Sequence, residues 1–177
     1  MAPGRRLVVV LPVATVLAGG CADEDPVCTL VGWDEGFTLS MRSPEVPALP
    51  DALYWFDVVA DGMTTRLGAR WLNEFVGCKG TEADCTAELE ASDGTLFVTL
   101  QPDVAYDENE VDELLGFTLY ATWDEGGGPA TVEVVGFLED EQIATGSFSP
   151  TYDVWEPNGP GCGVATTARD ELALDLP

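Results

Sequence analysis

Thirty-two Asp and Glu residues against seven Lys and Arg, with no histidine in 177 residues, define the chemistry open to this chain. Without an imidazole there is no Ser-His-Asp or Cys-His catalysis and no histidine metal centre. That removes the machinery of most extracellular hydrolases. What survives is carboxylate chemistry, such as glycoside hydrolysis by two acids, and the acids here are so numerous that no pair stands out. Oxygen ligands alone could hold calcium, and the densest candidate set is Asp103, Asp107, Glu108, Glu110, Asp112 and Glu113. Its spacing departs from the calcium-loop pattern and lacks the central glycine, so no metal is expected. Gly126-Gly127-Gly128 does not join a strand to a helix. It reads as a turn rather than a phosphate cradle, and no cofactor is expected.

Cysteine is the other reactive residue type, with Cys21, Cys28, Cys78, Cys85 and Cys162. Cys21 is set apart by what precedes it: Arg5-Arg6, an apolar run over 7–17, then Ala18-Gly19-Gly20. Basic, apolar and small residues in that order form an export signal with a cleavage site. A cysteine directly after the cut resembles the lipobox of bacterial lipoproteins, although Ala18 stands where that family usually carries Leu. The resemblance covers the first two dozen residues. It implies a lipid on Cys21, a membrane contact through that lipid, and an extracytoplasmic address in the bacterial cell envelope. A cut by ordinary signal peptidase at the same small residues would instead release a secreted protein. A membrane-spanning helix fits worst, because the run falls short of the roughly 20 residues required and Pro12 interrupts it.

With Cys21 assigned to lipidation, four cysteines remain to pair in an oxidising compartment. Of three connectivities, the favoured one joins Cys78 to Cys85 around a short Gly-containing loop, and Cys28 to Cys162 between the domain's start and its last loop. No Cys-x-x-Cys spacing supports zinc.

Removing residues 1–20 takes away two cations and no acid, so the mature chain is two units more negative than the −25 of the whole. Such a surface repels nucleic acid and attracts cations or basic partners. An apolar content of 46% and a mean hydropathy of +0.08 exclude wholesale disorder. The organisation expected is a signal peptide over 1–20, an acidic tether over 21–27 and one domain over 28–177.

The elements that must position any site are strands. Alternation of apolar and polar residues marks strands over 37–42, 52–60 and 63–72, the last two joined by Asp61-Gly62. A second hairpin joins 86–91 to 95–101 through Asp93-Gly94. The clearest alternation places Leu115, Phe117, Leu119, Ala121 and Trp123 on one face. Further strands are expected over 130–138, 142–152 and 166–176, and one short helix over 108–114. Trp-Asp-Glu-Gly occurs at both 33–36 and 123–126 and reads as two strand-end turns. Seven to nine short strands with turn signals between them predict an all-β antiparallel sandwich, immunoglobulin-like or a related Greek key, with a β-barrel as the alternative.

Aromatic placement supplies the remaining functional hint. Trp71, Phe117 and Trp123 fall on core-facing positions, whereas Trp55, Phe97, Tyr120 and Phe137 fall on the opposite faces of their strands. Outward rings on a sandwich can form a platform for a protein or glycan. The leading expectation is thus a noncatalytic envelope or surface lipoprotein that acts as a binding module. A structural surface coat and a carboxylate-dependent envelope glycosidase are the alternatives.

Overall fold

The structure is a computed structural model that describes residues 35–72, 74–75, 85–92, 94–105, 113–156 and 163–177. Among them are eleven strands: β1 (Gly36–Arg42), β2 (Ala52–Ala60), β3 (Met63–Leu72), β4 (Glu74–Phe75), β5 (Thr86–Ala91), β6 (Gly94–Ala105), β7 (Glu113–Trp123), β8 (Val132–Leu138), β9 (Glu141–Phe148), β10 (Asp153–Trp155) and β11 (Ala165–Ala173). They form a six-stranded sheet, β10-β11-β1-β7-β6-β5, packed on a five-stranded one, β4-β3-β2-β8-β9. Neighbours are antiparallel except β1 and β11, which run parallel. The all-β sandwich is therefore the architecture. No hydrogen-bonded ladder among the described residues joins the two sheets into a closed barrel. The tail after β11 does reach across: Leu174 N donates to Arg42 O in one sheet and Asp175 N to Ile143 O in the other.

Period-two alternation sorts side chains between core and solvent. Phe37, Leu39 and Met41 of β1, Tyr54, Phe56 and Val58 of β2, and Leu96, Val98 and Leu100 of β6 are all buried. Phe117 of β7 bridges the sheets, its ring centroid 5.0 Å from Tyr54 and 5.2 Å from Phe56 of β2. Trp71 is buried and Trp123 is partly buried against the same core. Asp61 and Gly62 turn the β2–β3 hairpin at φ 47° and 80°, as their sequence anticipates. The Asp61 carboxylate then accepts the backbone N–H groups of Ala130 and Thr131, fixing the start of β8 against that turn.

Two expectations change. A bulge in the β6–β7 ladder between Asp103 and Val104 puts Leu114 in the core and leaves Leu115 half-buried. One inserted residue reverses the facing of everything beyond it, so strict alternation misassigns Leu115. The expected helix is replaced at its end by strand, since Glu113 and Leu114 belong to β7; residues 108–112 lie outside the described residues. Of the cysteines in the expected pairings, Cys85 lies among the described residues and is disulfide-bonded. Cys85 is the one cysteine among them, its Sγ 3.5 Å from the carbonyl oxygen of Gly68 on β3. Cys21, Cys28, Cys78 and Cys162 lie outside the described residues, as does the tether over 21–27.

The described residues of the two Trp-Asp-Glu-Gly segments meet in space. Phe37 pairs with Ala121, so Glu35 and Gly36 of the first segment lie beside the turn formed by the second, where Gly126 N donates to Trp123 O at 2.9 Å. Backbone approach there is close enough that a Cβ on Gly36 would strike Ala121 O. Its φ of 91° adds a second reason for glycine.

Candidate binding faces of the sandwich

The four outward aromatics separate into two pairs on opposite sides of the molecule. Trp55 on β2 and Phe137 on β8 are direct register partners on the solvent side of the five-stranded sheet. Phe97 on β6 and Tyr120 on β7 are diagonal neighbours on the solvent side of the six-stranded sheet. All four are half-buried.

On the five-stranded face, the position opposite Trp55 on β3 is Gly68, which offers the indole no side-chain neighbour there. One step along, Asp57 opposes Arg66. Arg66 Nε and Nη2 donate to the two carboxylate oxygens of Asp57 at 2.5 and 2.6 Å, a two-pronged pair that fixes the guanidinium plane. The same guanidinium lies 5.8 Å from the centroid of the Phe137 ring, within cation–π range. Hydrogen bonding to Arg66 holds the Asp57 carboxyl below its ordinary range. A hollow of about 180 Å³ lies among Trp55, Arg66, Phe137, Glu139 and Asp140. A bulge in the β8–β9 ladder beside Phe137 and a left-handed turn at Glu139, φ 52°, shape its rim.

The six-stranded face has a different character. Its central rows run Arg169–Thr38–Tyr120–Thr99–Thr86 and Glu171–Ser40–Thr118–Gln101 across β11, β1, β7, β6 and, in the first row, β5. Hydroxyl groups dominate. Two adjoining hollows of about 430 and 480 Å³ share Ser40 and Glu171 and extend along β1 from Thr38 to Arg42 and on to Pro44. Thr118, only 8% exposed, has its hydroxyl on Asp103 Oδ1 at 3.2 Å, and Asp103 Oδ2 in turn accepts from Arg42.

Several acids are occupied structurally: Asp57 by Arg66, Asp61 by the start of β8, Asp103 by Thr118 and Arg42, and Glu139 by the backbone N–H of Leu53. The acids that line the hollows are chain neighbours, Asp170 with Glu171 and Glu139 with Asp140. Successive residues on β11 point to opposite faces, so Asp170 and Glu171 do not converge. Of the calcium candidates, Asp103 and Glu113 sit on neighbouring strands, and Asp107, Glu108, Glu110 and Asp112 lie outside the described residues. Among the described residues no three His, Cys, Asp or Glu side chains group as metal ligands. Burial, with Asp61 nearby, pushes the Tyr152 phenol up to about 12 while its hydroxyl donates to Pro129 O at 2.7 Å.

No family model matches the chain, and no curated protein or solved structure does.

Sequence reasoning missed the hydroxyl trough and one exposed edge. Thr38, Ser40 and Thr118 read along the chain as the ordinary polar half of two strands; only the register shows that they adjoin. Val154, Trp155 and Val164 are 68%, 46% and 54% exposed at the β10 edge of the six-stranded sheet. Their signal, an apolar pair within 153–155, is too short for a strand pattern.

Proposed function

We propose that this protein is a noncatalytic binding module, lipid-anchored through Cys21 on the extracytoplasmic side of a bacterial envelope, that docks a protein partner on its five-stranded face. The observation that carries this reading is the placement of Trp55 directly opposite Phe137 with the Arg66 guanidinium over the Phe137 ring. Trp, aromatic and Arg side chains are the types that dominate protein interface energetics. Asp57 and Arg66 hold each other rigid beforehand, which lowers the ordering cost on binding. Glu133, Glu139 and Asp140 carry further negative charge on and beside that face, so the partner offers basic groups around an apolar centre.

Affinity capture from intact envelopes tests the docking. Wild type retains a specific protein and Trp55→Ala retains about tenfold less. Equal retention by both contradicts the reading. Intact mass of membrane-extracted protein tests the anchor, and an unmodified Cys21 or a cut elsewhere contradicts it.

A further inference from the structure

We propose that the six-stranded face holds a second site, a trough along β1 that binds a neutral oligosaccharide. The two adjoining hollows, about 430 and 480 Å³, follow β1 from Thr38 past Arg42 to Pro44, a run of roughly 20 Å at about 3.3 Å per residue. Small hydroxyl side chains, Thr38, Ser40 and Thr118, make its floor, and the larger Tyr120, Arg42 and Arg169 stand around it. The depth of the trough is thus a consequence of residue size at aligned register positions.

The chemistry of the lining selects the ligand class. β1 is hydrogen-bonded on both sides, to β11 and β7, so its backbone has no edge to offer an added peptide strand. Recognition must come from side chains. Hydroxyls donate and accept, a guanidinium donates and a carboxylate accepts, which matches a ligand whose own surface alternates donors and acceptors. Tyr120 adds an aromatic ring beside the floor, where the C–H face of a pyranose can pack.

Charge narrows the choice further. Arg42 and Arg169 are two of the five cations beyond residue 20, and both line this trough. Arg42 is paired with Asp103, while Arg169 makes no ion pair with any described residue. Asp103, bound to Arg42, and Glu171, which lines the trough, offset these two cations and leave it close to neutral within a chain of net charge −25. The long-range field of that chain repels a polyanion, so the ligand is an uncharged sugar chain.

The test titrates full-length mature protein, in a zwitterionic detergent free of sugar headgroups, with tetrasaccharides of β-1,4-linked glucose, N-acetylglucosamine and mannose, and with tetragalacturonate as the anionic control. At least one neutral tetrasaccharide binds, and tetragalacturonate binds more weakly at low salt. Tyr120→Ala, and Ser40→Phe, which fills the trough, each weaken binding by about tenfold or more. Arg169→Ala, an exposed position that leaves the fold intact, weakens it by a few-fold, about 3 to 5. Trp55→Ala binds the sugar like wild type, so failure here is separable from failure of the protein docking reading. The proposal is overturned if no neutral tetrasaccharide binds below about 1 mM. Binding that is unchanged in both Tyr120→Ala and Ser40→Phe, or lost equally in Trp55→Ala, also overturns it.

Discussion

The two outer faces of this sandwich share one core yet present opposite chemistry. The five-stranded sheet shows solvent a Trp–Phe pair framed by an Arg–Asp clasp, and the six-stranded sheet shows it rows of hydroxyls beside Tyr120 and Phe97. The strands at the centre of each face, β2 and β8 on one and β1 and β7 on the other, are paired on both sides, so side chains must tell ligands apart there. Large rings on the first face leave a small hollow of about 180 Å³, whereas Thr and Ser on the second leave hollows more than twice that size. One face is suited to apolar contact with a macromolecule. The other is suited to hydrogen bonding with a ligand that lies in it.

The largest expected effect breaks both faces together. Phe117→Ala removes the ring that spans Tyr54 and Phe56 across the sheets, and should cost about 3 to 5 kcal/mol in urea unfolding. A loss under about 1 kcal/mol would mean that the faces do not depend on a common core. Thr118→Val should distinguish the faces: it strips the hydroxyl from Asp103, costs about 1 kcal/mol, and weakens sugar binding while protein capture is unaltered. Capture that falls in step with sugar binding would show that the faces are coupled.

The smallest effect concerns the Arg–Asp clasp. Asp57 and Arg66 side chains are 32% and 59% exposed, so Asp57→Asn should cost only about 0.2 to 1 kcal/mol at pH 7. The pH dependence has a defined sign. Because Arg66 lowers the Asp57 pKa in the folded state, the contribution is complete above the unfolded carboxylate value of about 3.9 and is lost as pH falls through the lower folded value. Urea midpoints of wild type and Asp57→Asn should differ at pH 7 and converge toward pH 2. A gap that widens on acidification would contradict the clasp.

The fold was legible where alternation is uninterrupted. β1, β2, β3 and β5 emerge from the period-two pattern and from Asp61-Gly62, and the all-β sandwich follows from their spacing. Legibility failed where pairing overrides local pattern. The bulge at Asp103/Val104 turns Leu115 away from the core, and β4 and β10, two and three residues long, exist only because a longer strand lies beside them. The parallel meeting of β1 with β11 is a property of topology that neither strand carries by itself. The candidate faces were half legible for the same reason. Alternation identifies Trp55, Phe97, Tyr120 and Phe137 as outward, and only sheet order divides them into two sites.

Photo-crosslinking in intact envelopes tests the division most directly, with a benzophenone side chain placed at position 55 in one variant and at position 40 in another. Position 55 should give a discrete protein adduct and position 40 none. Adducts of the same protein from both positions, or from position 40 alone, would contradict the division.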